Sequence, residues 1–164
     1  MVPPRWMRTC ETEIEAGEFI LKVMQINTVC GSGSVGRITV DLIHALETEG
    51  GEGLAAFGRR EAPQGVRAYK FGTNLDMGFH VLHTFFGGEH GFASKKQTKR
   101  LIEKIEEYNP DIIHLHNIHG FYLDVEQLFA YLKKAGRPVV WTLHDCWSFT
   151  GHCAHFDYIG CMKW

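Results

Sequence analysis

The chain has 164 residues, 45% of them hydrophobic and 22% charged, which suits one globular domain with a real core and excludes disordered and fibrous classes. Its formal net charge of -2 offers no basic field for nucleic acid and no polybasic patch for anionic lipid. No apolar run approaches the ~20 residues of a membrane-spanning helix, so any membrane contact is expected to be peripheral at most.

Residues 1–18 mix Pro, Arg and Glu without periodicity and read as a loose N-terminal tail, with 19–164 forming the domain. The start has neither the apolar core nor the small-residue cleavage site of a secretory signal. That points to the cytoplasm, where thiols stay reduced, so the five Cys are not a disulfide framework.

The short apolar run from Phe19 to Ile26 suits a buried strand, and a glycine-rich turn follows from Cys30 to Arg37. Ile38, Leu42, Ile43 and Leu46 then fall at helical spacing as far as Gly50 and Gly51, where glycine can take the positive φ of a helix stop. Leu54–Phe57 and Val66–Phe71 read as two more strands, whereas 72–93 has no clean period and is expected to be a flexible or partly helical excursion. Ser94 is a candidate N-cap for a helix whose apolar face is Leu101, Ile102, Ile105 and Tyr108, stopped by Asn109 and Pro110. Asp111–His116 is a strand, Val125–Lys134 a helix and Pro138–Leu143 a final strand. Phe85, Phe86 and the segment Trp147–Trp164 find no evident partner within the chain and are expected to stay exposed.

Strands alternating with helices of this length indicate βαβ units, hence an α/β Rossmann-like parallel sheet with helices on both faces. Such sheets bind ligands at the carboxyl ends of their strands, which directs attention to the loops after Ile26, Leu115 and Leu143.

In the first of these loops Gly31, Gly33 and Gly36 satisfy G-x-G-x-x-G between a strand and a helix. Bare backbone and helix N-terminal N–H groups there suit a phosphate, and a side chain at Gly36 would fill the phosphate's space. The same pattern serves dinucleotides. The acidic residue expected at the end of the second strand is replaced by Arg59 and Arg60, which leaves an NADP-binding oxidoreductase domain as an alternative if those arginines face the loop.

The second loop carries His114, His116 and His119. His114 and His116 share a strand face, so a metal site is geometrically possible, but Ile118 stands where a binuclear hydrolase would have a carboxylate. His114 reads as a hydrogen-bonded core residue, and His116, Asn117 and His119 suit sugar hydroxyls. In the third loop His144 beside Asp145 can orient a substrate or accept a proton, although sequence neighbours often point apart.

Gly33-Ser-Val-Gly-Arg-Ile38, Asp111-Ile-Ile-His-Leu-His-Asn-Ile-His-Gly120 and Thr142-Leu-His-Asp-Cys-Trp-Ser-Phe-Thr-Gly-His-Cys153 together resemble bacterial family 4 retaining glycosyltransferases. The similar branch builds capsular, exopolysaccharide and colanic-acid-type polymers, and the resemblance runs from about Leu21 to Trp164. It implies the N-terminal half of a GT-B fold, in which two Rossmann-like domains face each other across a cleft. The implied cofactor is none, with a nucleotide-sugar donor as co-substrate and no essential metal. The acceptor is a saccharide or a lipid-linked saccharide, and the site is cytoplasmic or peripheral on the inner face of the membrane. By this likeness the backbone at Gly33 and Gly36 approaches the donor phosphate and Arg37 helps neutralise it. His116, Asn117 and His119 line the acceptor side, and His144, with Asp145 next to it, contacts the transferred sugar or the donor phosphate. The paired-glutamate motif and the donor-binding second domain lie outside the chain, so the chain alone is expected to be inactive. A non-catalytic carbohydrate- or partner-binding remnant is the remaining alternative.

Cys146, Cys153 and Cys161, with His144, His152 and His155 among them, have the ligand types of a structural zinc site, but their spacing fits no standard finger. A loop with incidental cysteines is the simpler reading.

Overall fold

The alternation of apolar strands and amphipathic helices resolves into one five-stranded sheet in which every pairing is parallel. The computed structural model describes residues 20–87 and 93–150 together with 154, 155, 157 and 160. The tail 1–18 and His152, Cys153 and Cys161 of the cysteine segment lie outside these described residues. The strands are β1 (Lys22–Val29), β2 (Glu52–Arg59), β3 (Ala68–Lys70), β4 (Ile112–Leu115) and β5 (Val139–Trp141), in the order β3-β2-β1-β4-β5. The helices are α1 (Gly33–Thr48), α2 (Asn74–Gly87), α3 (Lys95–Tyr108), α4 (Val125–Ala135) and the short α5 (Trp147–Thr150). The order in which the chain adds strands reverses between β1 and β4, and the crevice there is where doubly wound sheets take ligands.

Alternate residues of the strands feed two cores. On one face Met24 and Ile26 of β1, Leu54 and Ala56 of β2 and Ile113 and Leu115 of β4 pack with Leu101 and Ile105 of α3 and Leu128 and Leu132 of α4. On the other, Ala55 and Phe57 pack with Cys30 and with Ile43 of α1. Burial raises the Cys30 thiol above its ordinary pKa, so this cysteine is an inert packing group. Each fully buried aliphatic side chain contributes about 1.5–3 kcal/mol, and these layers supply most of the stability.

Four features differ from the sequence expectation, each for a local reason. Helix α1 buries Gly36, Thr39 and Ile43, whereas Ile38 is 40% exposed and Leu42 is also exposed. Polar Thr39 faces inward because Asn27 Nδ2 donates to its Oγ1 at 2.9 Å, which joins the helix to β1. Strand β1 continues through Asn27, Thr28 and Val29, where pairing with β2 outweighs the polarity of the residues. The stretch without a period contains α2, in line with the partly helical reading and not one of the four. Ser94 occupies the N-cap of α3 with φ 64°, but its hydroxyl lies 2.7 Å from His80 Nδ1 of α2 and caps nothing. Finally, Phe85 and Phe86 are exposed as expected, but Trp147 is buried beside His119, with ring centroids 5.3 Å apart.

Gly58 links this packing to the upper edge of the sheet. A Cβ there would sit 2.3 Å from Cδ2 of Tyr122, in the body of a buried ring. Tyr122 in turn donates its hydroxyl to the Asn117 carbonyl at 2.7 Å. Gly58→Ala must therefore displace Tyr122 and is expected to cost about 1–3 kcal/mol by overpacking. Urea unfolding of the variant should show a lower midpoint, and an unchanged midpoint would mean that Tyr122 is not fixed there.

Candidate functional site

The loop from β1 into α1 is folded tightly, with Gly31 N donating to Gly36 O at 2.8 Å. A Cβ at Gly36 would meet Gly31 N and Val29 Cγ2 at 3.1 Å, so this glycine lets helix and loop approach each other. A valine at Gly36 would press on protein and strain the turn, where the sequence suggested intrusion on a phosphate. Gly33 differs: its φ is +68°, open space lies where a Cβ would be, and it lines a cavity of about 320 Å³.

That cavity is walled by Thr28, Ser32, Gly33, Ser34 and Val35 on one side and by Arg59, Asn117, His119 and Gly120 on the other. Arg37 is exposed in the first turn of α1 and is not among the lining residues. Its place as the nearby cation is taken by two residues at the end of β2. Arg60, in the left-handed region at φ 64°, donates from Nη1 to Ser32 Oγ at 2.7 Å, and Arg59 Nη1 donates to Gly120 O at 3.4 Å. Both arginines face the glycine loop, the geometry the NADP alternative asked for. An arginine there would serve any phosphate, so this position does not separate the two readings.

Beside the cavity is a narrow crevice of about 10 Å³ lined by His116, Asn117, His119, His144, Asp145 and aromatic neighbours. His144 and Asp145 diverge from their shared backbone. His144 Nε2 lies 2.9 Å from His116 Nδ1, while Asp145 Oδ2 lies 2.7 Å from His119 Nε2. The carboxylate therefore orients His119, and Asp145 Oδ1 accepts the Trp147 N–H at 3.0 Å, which fixes the carboxylate in turn. His119 lines both spaces and joins the two halves of the site. Trp141 Nε1 donates to the His116 carbonyl at 3.0 Å, and the Thr28 hydroxyl lies 2.8 Å from the His119 carbonyl.

His116 is buried, and its other nitrogen, Nε2, lies 2.7 Å from Oε1 of buried Gln25 on β1. His114 lies 2.8 Å from Thr142 Oγ1 and packs at a tilt against His116 with centroids 4.3 Å apart. The side chains of His116, Asn117, His119, His144 and Asp145 thus line one crevice. Among the described residues no three His, Cys, Asp or Glu side chains are grouped as a metal would require. Sequence reasoning did not place Gln25 in the site, and it named Arg59 and Arg60 only under the dinucleotide alternative.

Burial, with His114 and His144 close by, pushes His116 down to about 3. Burial likewise lowers His114, with His144 adding to the effect. In the unfolded chain a histidine takes up its proton near ~6.5. The stability that neutral His116 contributes is therefore complete above ~6.5 and is lost as pH falls from there toward about 3. Its expected slope is at most ~1.4 kcal/mol per pH unit, because one proton separates the two states. The melting temperature should fall on acidification through this window, less steeply in His116→Asn, and the His116 C2 proton should not titrate by NMR near neutrality. Titration of that proton near ~6.5 would contradict the assignment.

Comparison with known proteins bears on the same residues. The profile of Glycosyltransferase Family 4 matches residues 35–159. The protein named "Putative colanic acid biosynthesis glycosyl transferase WcaC" of Escherichia coli (strain K12) is 37% identical over 60 residues, which is 34% of this chain and 14% of that relative. The matched segment thus spans a small part of the relative's length. Neither match supports the oxidoreductase alternative. The family match takes in most of the chain, including the helix end of the glycine loop and all of the histidine crevice, and the chain belongs to Glycosyltransferase Family 4.

Proposed function

We propose that the chain is the acceptor-side half of an enzyme that transfers a sugar from a nucleotide-sugar donor to a saccharide or lipid-linked acceptor in cell-surface polysaccharide biosynthesis. The observation that carries this reading is the junction of two unlike spaces at the β1–β4 switch point. One is a cavity lined by Arg59 and a bare glycine loop, with Arg60 bonded to Ser32 of that loop; the other is a crevice of imidazoles, and both share Asn117 and His119. The first suits a diphosphate and the second suits hydroxyl groups. Family membership and the printed name of the relative support the same class of chemistry.

In this reading Gly33, Ser32 and the α1 N-terminus meet the donor phosphate, and the positive charge comes from Arg59 and Arg60, more than from Arg37. Gly36 keeps the loop tight enough to do so. The bond from the anomeric carbon to the phosphate oxygen breaks and a bond from the acceptor oxygen to that carbon forms. The acceptor's proton leaves with the departing phosphate, so His144 positions and stabilises the reacting groups. His119, oriented by Asp145, and Asn117 hold the acceptor. The nucleotide sugar is a co-substrate, and no cofactor enters the scheme. The donor-side domain is a partner supplied by the longer protein.

A peripheral position on a membrane belongs to the proposal. No helix among the described residues is long and apolar enough to cross a bilayer. Helix α2, however, exposes Leu75, Val81, Leu82, Phe85 and Phe86, the last two at 82% and 80%. His80, on the opposite side of the helix, is buried and ties α2 to the start of α3, where Lys95, Lys96, Lys99 and Arg100 are exposed. The net charge of -2 conceals this local cluster. Apolar aromatics beside clustered cations fit an anionic lipid surface.

Two experiments test the reading. In the protein encoded by the full reading frame, incubated with a panel of nucleoside-diphosphate sugars, His144→Ala should lower turnover by ~10²–10³. Its stability should fall by only about 1–3 kcal/mol, the cost of leaving His116 Nδ1 unpaired. Early melting with normal transfer while folded would make His144 a core residue. Vesicles with an anionic phospholipid should sediment the protein at low salt, and zwitterionic vesicles should do so poorly. Changing both Phe85 and Phe86 to Ser should release it, and equal behaviour of both vesicle types would remove the lipid from the proposal.

A further inference from the structure

We infer that Gln25 and His116 form a tautomer lock on His144, holding the proton of that imidazole on Nε2 and leaving Nδ1 as a lone-pair acceptor for a sugar hydroxyl. The inference deepens the proposed reading, since it names the kind of ligand group that His144 meets. Gln25 and His116 are then positioning residues, and of these three only His144 touches the substrate.

The argument begins at the buried end. Gln25 sits on β1 in register with His114 of β4, and its carboxamide Oε1 lies 2.7 Å from His116 Nε2. A carbonyl oxygen offers only lone pairs, so His116 Nε2 must carry the hydrogen. A neutral imidazole has one N–H, which leaves Nδ1 of His116 as an acceptor. Burial keeps this ring neutral, because nothing anionic bonds to it and two other imidazoles stand close by. The group 2.9 Å from that acceptor is His144 Nε2, which must then donate. All the hydrogens in the chain point inward, from His144 to His116 and from His116 to Gln25.

The lock selects ligand chemistry. In the neutral state His144 has its lone pair on Nδ1, so at this nitrogen it accepts from a hydroxyl and does not donate to a phosphate oxygen. If the carboxamide were turned round, every hydrogen would reverse, Nδ1 of His144 would carry a hydrogen, and the ring would suit an anion instead. The two polarities are therefore distinct chemical states of the same geometry. His119 is held separately by Asp145 and does not share in this chain.

The test is long-range ¹H–¹⁵N NMR of the imidazoles in the ¹⁵N-labelled chain above neutral pH, with His116→Asn and His144→Asn used for assignment. Both rings are expected as neutral Nε2–H tautomers. Gln25→Met keeps the side-chain volume but removes the carbonyl acceptor, and His116 should then show averaged tautomer shifts. Nδ1–H at either ring in the unaltered chain, or unchanged spectra in Gln25→Met, would overturn the inference. Should Gln25→Met fold poorly, the spectrum of the unaltered chain decides alone. In the full reading frame, Gln25→Met should lower kcat about 10–100-fold with little change in KM, the range found when the partner that orients a metal-bound imidazole is lost. Normal kcat in Gln25→Met beside an active parent would overturn the lock's role while leaving sugar transfer standing. An inactive parent would instead count against the transfer reading.

Discussion

Two strands far apart in sequence, β1 and β4, lie side by side, and what that pairing forces on their polar residues shapes the rest of the site. The register sets Gln25 beside His114 and Ile26 beside Leu115. Alternation then sends Met24, Ile26, Ile113 and Leu115 into the core with α3 and α4, while Gln25, Asn27 and His114 go to the opposite face. A slip of one residue would bury the polar set under α3 and expose the aliphatic one, so the hydrophobic pattern fixes the register firmly. Polar groups trapped on the other face must find partners there, since an unpaired buried donor or acceptor costs about 1–3 kcal/mol. Asn27 finds Thr39 and the Val35 carbonyl of α1, and Gln25 finds His116. Packing of one face thus dictates hydrogen bonding on the other.

The resulting network joins elements that the chain visits at long intervals. Thr28 ties the end of β1 to the loop after β4, Trp141 of β5 holds the His116 carbonyl, and Tyr122 holds the Asn117 carbonyl. Each loop at this edge is held by a side chain from another element. Gly58 shows how closely the packing is drawn, because a single added carbon on β2 would push Tyr122 against that loop. Positioning of the functional side chains is therefore a property of the sheet as a whole.

Much of this was legible in the sequence, and the exceptions have physical causes. Strand and helix order, the parallel sheet and the three loops that matter follow from periodicity and from glycine and proline stops, which are local signals. The convergence of His116, Asn117, His119, His144 and Asp145 followed from the rule that ligands gather at strand carboxyl ends. Which residue bonds to which did not. Gln25 meets His116 across 91 positions, a contact no window on the sequence can contain. The inner face of α1 was misread for a related reason: Thr39 has a polar partner on β1, so burial there follows a hydrogen bond, not hydrophobicity. Ser94 had the identity of a cap, but a histidine from α2 claimed its hydroxyl. Val139 and Val140 look like core residues, yet β5 is the edge of the described sheet and leaves them exposed.

The distribution of charge gives the site a division that composition alone conceals. At the end of β2, Arg59 lines the open cavity and Arg60 bonds to Ser32 of the glycine loop at an exposed position, where water can still solvate a guanidinium. His116 lies two strands further across, just past β4, and is dry enough to stay neutral at any ordinary pH. An anion gains from the first place and loses at the second, because a neutral imidazole without solvent offers it no compensating charge. A hydroxyl behaves the opposite way, since it competes poorly with water beside an arginine but bonds well to a shielded imidazole. Under the proposed reading the sheet separates phosphate from sugar over two strand positions, by how deeply each polar group is buried. His119 stands where the two regions meet, and Asp145 orients it by direct hydrogen bonding. Under the proposed reading the bond that breaks joins a sugar to a phosphate, and this boundary is where such a bond would lie.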